Sequence, residues 1–260
     1  MKQPPHHHQK ILQGIQSAYE TIAEEFSQAR TQTKDLQTVL PSIQGHLNKL
    51  AITQKQKHKT LHSPAIILDL GCGNGRLAGF LAKELHNDFS QENLSYLGMD
   101  SSKKLLAIAQ KNNPAQKFLE GDMLKIPLED NSIDIVCLWR AFHHLPSAEL
   151  QAKALQEIRR ILKPGGLLII TVWNLWQPQF RKQRLESLGR SITSLGKWHR
   201  QGLLIPWGKK ATRYYYAFKP AELKKLLEQQ GYTVTELLGI NGNQTTEVKE
   251  GSDIMAVANK

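Results

Sequence analysis

Cysteine is nearly absent from this 260-residue chain: Cys72 and Cys137 are the only two, and neither stands at a paired-ligand spacing. That argues against a disulfide framework and a structural zinc site, and it fits a reducing compartment. Long apolar runs are missing too. No stretch approaches the roughly 20 apolar residues that cross a bilayer, and the opening MKQPPHHHQK has no apolar signal-peptide core. A cytoplasmic protein without membrane contact is the expectation. Acidic residues are scarce in one place, for Glu186 is the only one between Leu175 and Lys219. The formal net charge of +11 is therefore clustered, which points to a polyanionic partner.

Apolar residues at helical spacing run through Ile11, Ile15, Ala18, Tyr19, Ile22 and Phe26, and again from Leu36 through Leu50, where Pro41 is expected to kink or divide the helix. The run His6, His7 and His8 is expected to be a disordered tail, since adjacent histidines offer no preorganised metal geometry. The polar, basic segment 53–64 with Lys55, Lys57 and Lys59 reads as a linker. Strands and helices then alternate. AIILDL (65–70), YLGMD (96–100), KFLEGD (117–122), IDIVCLW (133–139) and GLLIITVW (166–173) read as strands separated by amphipathic helices. Such alternation predicts a parallel sheet covered on both faces. KPGG (163–166) is expected to break a helix and turn, with Gly165 or Gly166 at positive φ. After the basic stretch and YYYAF, a helix from Pro220 precedes two late strands, 232–240 and 253–258, which suit an antiparallel hairpin at the sheet edge.

The chemistry concentrates in LDLGCGNGR (68–76). A phosphate-cradling loop needs a lysine and a hydroxyl after its last glycine, and Arg76 and Leu77 supply neither. A dinucleotide fingerprint needs GxGxxG, whereas Gly71, Gly73 and Gly75 give GxGxG. The loop still lets a ligand press on the backbone. Asp100 ends the next strand, about 25 residues on, where a carboxylate can accept both hydroxyls of a ribose. Asp122 ends the third strand, placed for an adenine edge.

With LDLGCGNG, GMD, GDM, DIVCLWRAFHHL and LKPGG in hand, the chain resembles the class I S-adenosylmethionine-dependent methyltransferases of type 11 over roughly residues 65–173. The resemblance implies a Rossmann-like α/β fold: a seven-stranded, mostly parallel sheet with an antiparallel C-terminal hairpin, helices on both faces and an N-terminal helical lid. It implies S-adenosylmethionine as cofactor, with Gly71 and Gly73 under the methionine portion, Asp100 on the ribose and Asp122 on the adenine. Asp69, Cys72, Ser101 and Met123 are flanking contacts, and Tyr19 is expected either to close the N-terminal helix over the cofactor or to pack in the core. No metal is implied. His143 and His144 are expected as pocket wall, with a general-base role left open.

Two further stretches, AYETIAEEFSQAR (18–30) and RYYYAFKPAELKKLLEQQGYTV (213–234), together with VWNLWQ (172–177) and IPW (205–207), are similar to the tRNA wobble-uridine carboxymethyl methyltransferases. That family commonly has histidine where Tyr216 stands and a small residue where Arg140 stands, at the pocket mouth. The likeness implies tRNA as partner and a carboxylate as acceptor. Arg30 and Arg213 are expected to hold that carboxylate or a nearby phosphate, since guanidinium forks suit both; a helper protein is left unassigned. The basic stretch with Trp176, Trp198 and Trp207 fits phosphates and unstacked bases, or else the tryptophans form a small local core. A small-molecule methyltransferase acting on a quinone precursor or a carboxylic acid is the alternative. The organisation expected is tail, lid and linker in 1–64, cofactor core in 65–174, basic insertion in 175–212 and completion of the core in 213–260.

Overall fold

The computed structural model describes residues 6–56, 64–85, 94–194 and 198–260. Helix α1 (His6–Ala29) buries Ala18, Ile22 and Ala23. A 3₁₀ turn, Lys34–Val39, leads into α2 (Leu40–Gln56). Pro41 lies in the first turn of α2, where a missing amide costs nothing, so it starts the helix and does not divide it. The histidine run is a second departure from expectation. It forms the first turn of α1, with the His7 ring edge-on to Trp198 at 6.0 Å between centroids. The polar segment from Thr53 stays helical as far as Gln56; Lys57 and Lys59, like Lys197 further on, lie outside the described residues.

The alternating region follows as β1 (Ala65–Leu70), α3 (Arg76–Glu84), β2 (Leu94–Asp100), α4 (Lys103–Asn112), β3 (Lys117–Glu120), β4 (Ile133–Trp139), α5 (Ala148–Ile161) and β5 (Leu162–Trp173). These five strands are parallel, in the order β3-β2-β1-β4-β5. Successive strand side chains face opposite sides of the sheet, so one apolar run feeds two cores. Leu68, Leu70, Val136 and Leu138 pack with Leu150, Ala154 and Leu155 of α5. On the other face Ile67, Ile135 and Cys137 pack with Ile43 and Leu47 of α2 and with Leu77 and Leu81 of α3. Ser102 and Ser147 start α4 and α5 by accepting the amides of Leu105 and Leu150. KPGG ends α5 and also begins β5, where Leu162 pairs with Ile133 across a register shift and Gly165 takes φ 74°.

The basic insertion is a helix and a hairpin: α6 (Arg181–Thr193), β6 (Gly202–Trp207) and β7 (Ala211–Tyr216). The second hairpin strand runs across the 212–213 division. Leu203 and Tyr215 of the hairpin close over Leu175 and Ala217 in a small core of their own. The chain then completes the large sheet with α7 (Pro220–Gln229), β8 (Thr233–Asn241), β9 (Gln244–Thr246) and β10 (Asp253–Asn259). Strand β10 inserts antiparallel between β5 and β8. The two late strands pair as expected, but they are not the edge. The three-residue β9 folds back on β8, so among the described residues the sheet has eight strands instead of seven.

Candidate active site

The loop from β1 to α3 is held by its neighbour strand. The amides of Gly71 and Cys72 both donate to the Met99 carbonyl, at 2.7 and 3.1 Å. Gly71 takes φ 80° and Gly73 φ 54°, a region that favours glycine. A Cβ on Gly71 would sit 2.4 Å from the Ala141 Cβ. These constraints turn the loop backbone toward a cavity of about 880 Å³. Tyr19, Arg30, Asp69, Gly71, Cys72, Gly73, Asp100, Ser101, Asp122, Met123 and Arg213, which are all the site residues expected from sequence, line this cavity.

At the β1–β2 end the carboxylates differ in environment. Asp100 accepts the Gly73 amide on Oδ2 and the Ser102 amide on Oδ1, both at 2.9 Å. Burial raises its pKa, and those two amides oppose the rise. Each oxygen keeps a lone pair for a further donor. Asp69 is 2% exposed and accepts the Tyr96 hydroxyl on Oδ2 at 2.7 Å, while Oδ1 is buried with no partner. Burial pushes Asp69 up to about 7. Asp122 is exposed and accepts the Leu124 amide at 2.8 Å. An amino-acid-bearing nucleoside suits this set. Asp100 matches vicinal hydroxyls, the unpartnered Asp69 oxygen matches an ammonium, and the glycine loop leaves no side chain in the way. Cys72 is buried, and burial puts its thiol well above the usual range; it is a small filler, not a nucleophile.

The other end of the cavity is aromatic and cationic. Trp173 and Tyr215 stack at 4.9 Å with 4° between their planes. The Arg30 guanidinium lies 5.8 Å from the Trp173 ring centroid. Arg213 is 3% exposed and faces Trp207 at 4.8 Å, Tyr215 at 5.3 Å and Tyr19 at 5.8 Å, with its Nε buried and unpartnered. Neither Arg30 nor Arg213 forms an ion pair among the described residues. Burial, followed by Arg140 and Arg76, lowers the Arg30 pKa. His143 and His144 form part of the wall, and burial keeps both rings neutral, with His144 down at about 4.

Sequence reasoning placed Arg140 at the mouth but missed the ionic frame around it. Asp35 pairs with Arg76 at 2.9 Å and with Arg140 at 3.1 Å, and Arg140 in turn pairs with Asp253 at 2.7 Å. Trp139, also missed, lines the cavity with its Nε1 buried and unpartnered. No local pattern marks Asp35, Asp253 or Trp139. In the structure Arg140 takes φ 58°, unusual for a residue with a side chain.

Helix α1 spans both ends. Gln16 donates to the Ser101 carbonyl at 2.8 Å and Glu20 accepts the Lys104 amide at 3.3 Å, on the β2 side. On the hairpin side Glu25 meets Lys210 and accepts the Trp207 Nε1–H at 3.2 Å. The three insertion tryptophans separate accordingly. Trp198 donates to Ser187 and the Gly202 carbonyl, and Trp207 packs on Phe26 and Arg213, both as internal packing. Trp176 remains 39% exposed, with Arg184 and Lys219 against its ring.

The family model described as a methyltransferase domain matches residues 68–170. The tRNA (carboxymethyluridine(34)-5-O)-methyltransferase of Macaca fascicularis is 33% identical over 183 residues, covering 70% of this chain and 23% of that protein. The chain therefore spans less than a quarter of that relative's length. A protein of Encephalitozoon cuniculi (strain GB-M1) that is named as a methyltransferase is 30% identical over 172 residues, covering 66% of this chain and 72% of its own. The crystal structure of an S-adenosylmethionine-dependent methyltransferase from Methanosarcina mazei is similar with a TM-score of 0.61 at 19% identity, over 77% of this chain and 94% of that one. Likeness at that identity is likeness of fold. Among the described residues no helix is long and apolar enough to cross a membrane.

Proposed function

Because the chain belongs to the S-adenosylmethionine-dependent methyltransferases, we propose that it methylates a carboxylate carried on the wobble uridine of a tRNA. The observation that carries this reading is the pair Arg30 and Arg213. Two guanidiniums without acid partners among the described residues, inside an aromatic enclosure, call for an anion to enter with the acceptor.

When bound, S-adenosylmethionine supplies an electrophilic methyl on a sulfonium. Asp100 would hold its ribose, Gly71 and Gly73 with Asp69 its amino-acid portion, and Asp122 with Met123 its adenine; Cys72 and Ser101 complete the wall. The acceptor needs no base, for a carboxylate is ionised at neutral pH. The protein's work is then alignment, water exclusion and fixed positive charge at the acceptor. Tyr19 and α1 close the cavity. In this reading residues 1–64 comprise tail, helical lid and basic linker, 65–174 the cofactor core, 175–212 the basic insertion and 213–260 the completion of the core.

A tRNA rather than a free acid is favoured by the insertion's surface. Arg181 and Lys182 are exposed there, Trp176 is half-exposed with Lys219 against its ring, and cations with a stackable ring suit an unpaired strand. The test is incubation with methyl-labelled donor and either total tRNA or a small-molecule extract. Label in tRNA, released by mild alkali as from a methyl ester, is expected. Label confined to the extract would replace the tRNA with a small-molecule acceptor, a quinone precursor or a carboxylic acid, and alkali-stable label would remove the carboxylate.

A further inference from the structure

His143 and His144 follow β4 in a 3₁₀ turn, and the methyl transfer proposed above gives them no proton to move. Geometry assigns one of them a different task. The His144 Nδ1 lies 2.7 Å from the Tyr214 carbonyl oxygen, and its Nε2 lies 2.9 Å from the Tyr19 hydroxyl. A carbonyl oxygen has no proton to give, so Nδ1 is the donor. In a neutral ring Nε2 is then bare, and it is the Tyr19 O–H that donates. The phenolic hydrogen is thus committed to His144. The Tyr19 oxygen is left as an acceptor toward the cavity that it lines. Tyr214 sits between Arg213 and Tyr215 in β7, the strand that supplies the acceptor end. Tyr19 belongs to α1, whose Gln16 and Glu20 hold the Ser101 side. One imidazole therefore links the lid to the strand that carries the guanidinium.

We propose that His144 is a positioning residue: through a single fixed tautomer it fastens lid helix α1 to acceptor strand β7 and keeps the Tyr19 hydroxyl as a hydrogen-bond acceptor toward the cavity. The inference rests on the methyltransferase reading but not on the identity of the acceptor. The charged and titratable groups around the ring are Tyr19 from α1, His143 beside it, and Arg213, Tyr214 and Tyr215 from β7. None of them is a carboxylate; burial, the largest influence, and Arg213 disfavour an imidazolium, and they outweigh the Tyr214 carbonyl that favours it, so the ring is held neutral.

The first measurement needs no substrate. In protein labelled with ¹⁵N in its histidines, the His144 ring should show a protonated Nδ1 and a bare Nε2, unchanged from about pH 6 to about pH 8. A protonated Nε2, or titration within that interval, overturns the proposal. The second uses S-adenosylhomocysteine binding by calorimetry in the full chain. Tyr19→Phe and His144→Asn remove the same lid bond, while asparagine keeps a donor for Tyr214. Each should weaken binding about tenfold, and the double variant should be no weaker than the worse single one. His144→Asn should retain the melting temperature that His144→Ala loses. Multiplying losses, or unchanged affinity in both single variants, would refute the lid connection. Failure to label tRNA would leave these outcomes intact and would count only against the acceptor.

Discussion

Arg140 grips Asp253 with two parallel bonds, Nε to Oδ1 at 2.8 Å and Nη2 to Oδ2 at 2.7 Å, although 113 residues separate them. Asp253 is only 1% exposed, and the remaining Nη1 of Arg140 reaches Asp35 in the 3₁₀ turn before α2. The inner strand β10 is thereby tied to the N-terminal cap through a residue held at φ 58°. Removing one partner of a buried pair leaves the other charge without compensation, which costs about 3–5 kcal/mol. Arg140→Ala should lower unfolding free energy by that order in urea titration. Adding Asp253→Asn should recover part of the loss, because the stranded charge is then gone. If Arg140→Ala melts like the parent, the pair is an ornament of the surface and not a tie.

Asp69 gives a prediction about pH. Burial raises its pKa to about 7, against the opposing Tyr96 hydroxyl bond. Below the ordinary carboxylate range both folded and unfolded chains hold the proton, so pH has no leverage through this group. Between that range and about 7 the unfolded chain has lost the proton while the folded one keeps it, so this group's contribution to stability falls as pH rises. Above about 7 the contribution is level. An ammonium arriving opposite the unpartnered Oδ1 favours the carboxylate and lowers that pKa. Donor binding just below pH 7 should therefore release a proton. Calorimetry in two buffers of different ionisation enthalpy reads the release directly, and Asp69→Asn should abolish it.

Arg213 should divide binding from turnover. Its guanidinium stands among Trp207, Tyr215 and Tyr19 in the cavity wall. Arg213→Ala should reduce kcat/KM for the anionic acceptor by about a hundredfold, in line with a missing charge-assisted hydrogen bond. S-adenosylhomocysteine affinity should change by less than about threefold. Arg213→Lys keeps the charge but not the planar fork, and is expected to fall between the two. Equal losses in acceptor kinetics and donor affinity would place Arg213 in the general architecture instead.

What could be read from the chain beforehand depended on how local each cause was. AIILDL and IDIVCLW form strands over those very residues, because a continuous apolar run between turn signals admits few alternatives. The glycine loop was legible for the same reason: its chemistry lies in adjacent residues. The pairing of Asp35, Arg140 and Asp253 was not, since no spacing announces partners that only tertiary folding brings together. Strand β9 escaped because Gln244, Thr245 and Thr246 show no apolar alternation; they pair by backbone alone beyond a turn at Gly242. The β6–β7 hairpin escaped because its aromatic face closes on a satellite core, while the flanking lysines dominated the pattern.

The sorting of the three insertion tryptophans leads to a last prediction. Trp198 and Trp207 spend their indole N–H groups inside the fold, on Ser187 with the Gly202 carbonyl and on Glu25. Trp176 donates to the Ala217 carbonyl but leaves 39% of its surface exposed, within a region where Arg181 and Lys182 are exposed too. A strand that stacks on this ring and lays phosphates on those cations would show both contributions separately. Trp176→Ala should weaken tRNA binding by about 1–3 kcal/mol with little change in salt dependence. Arg181→Ala with Lys182→Ala should instead flatten the plot of log affinity against log salt, by about 0.7 for each single-strand phosphate deprived of its cation. Trp198→Ala should damage folding first, visible as a lowered melting temperature. If Trp176→Ala and the double basic variant both bind tRNA as the parent does, the tRNA approaches by another face, and the hairpin tip at Lys209 and Lys210 becomes the surface to substitute next.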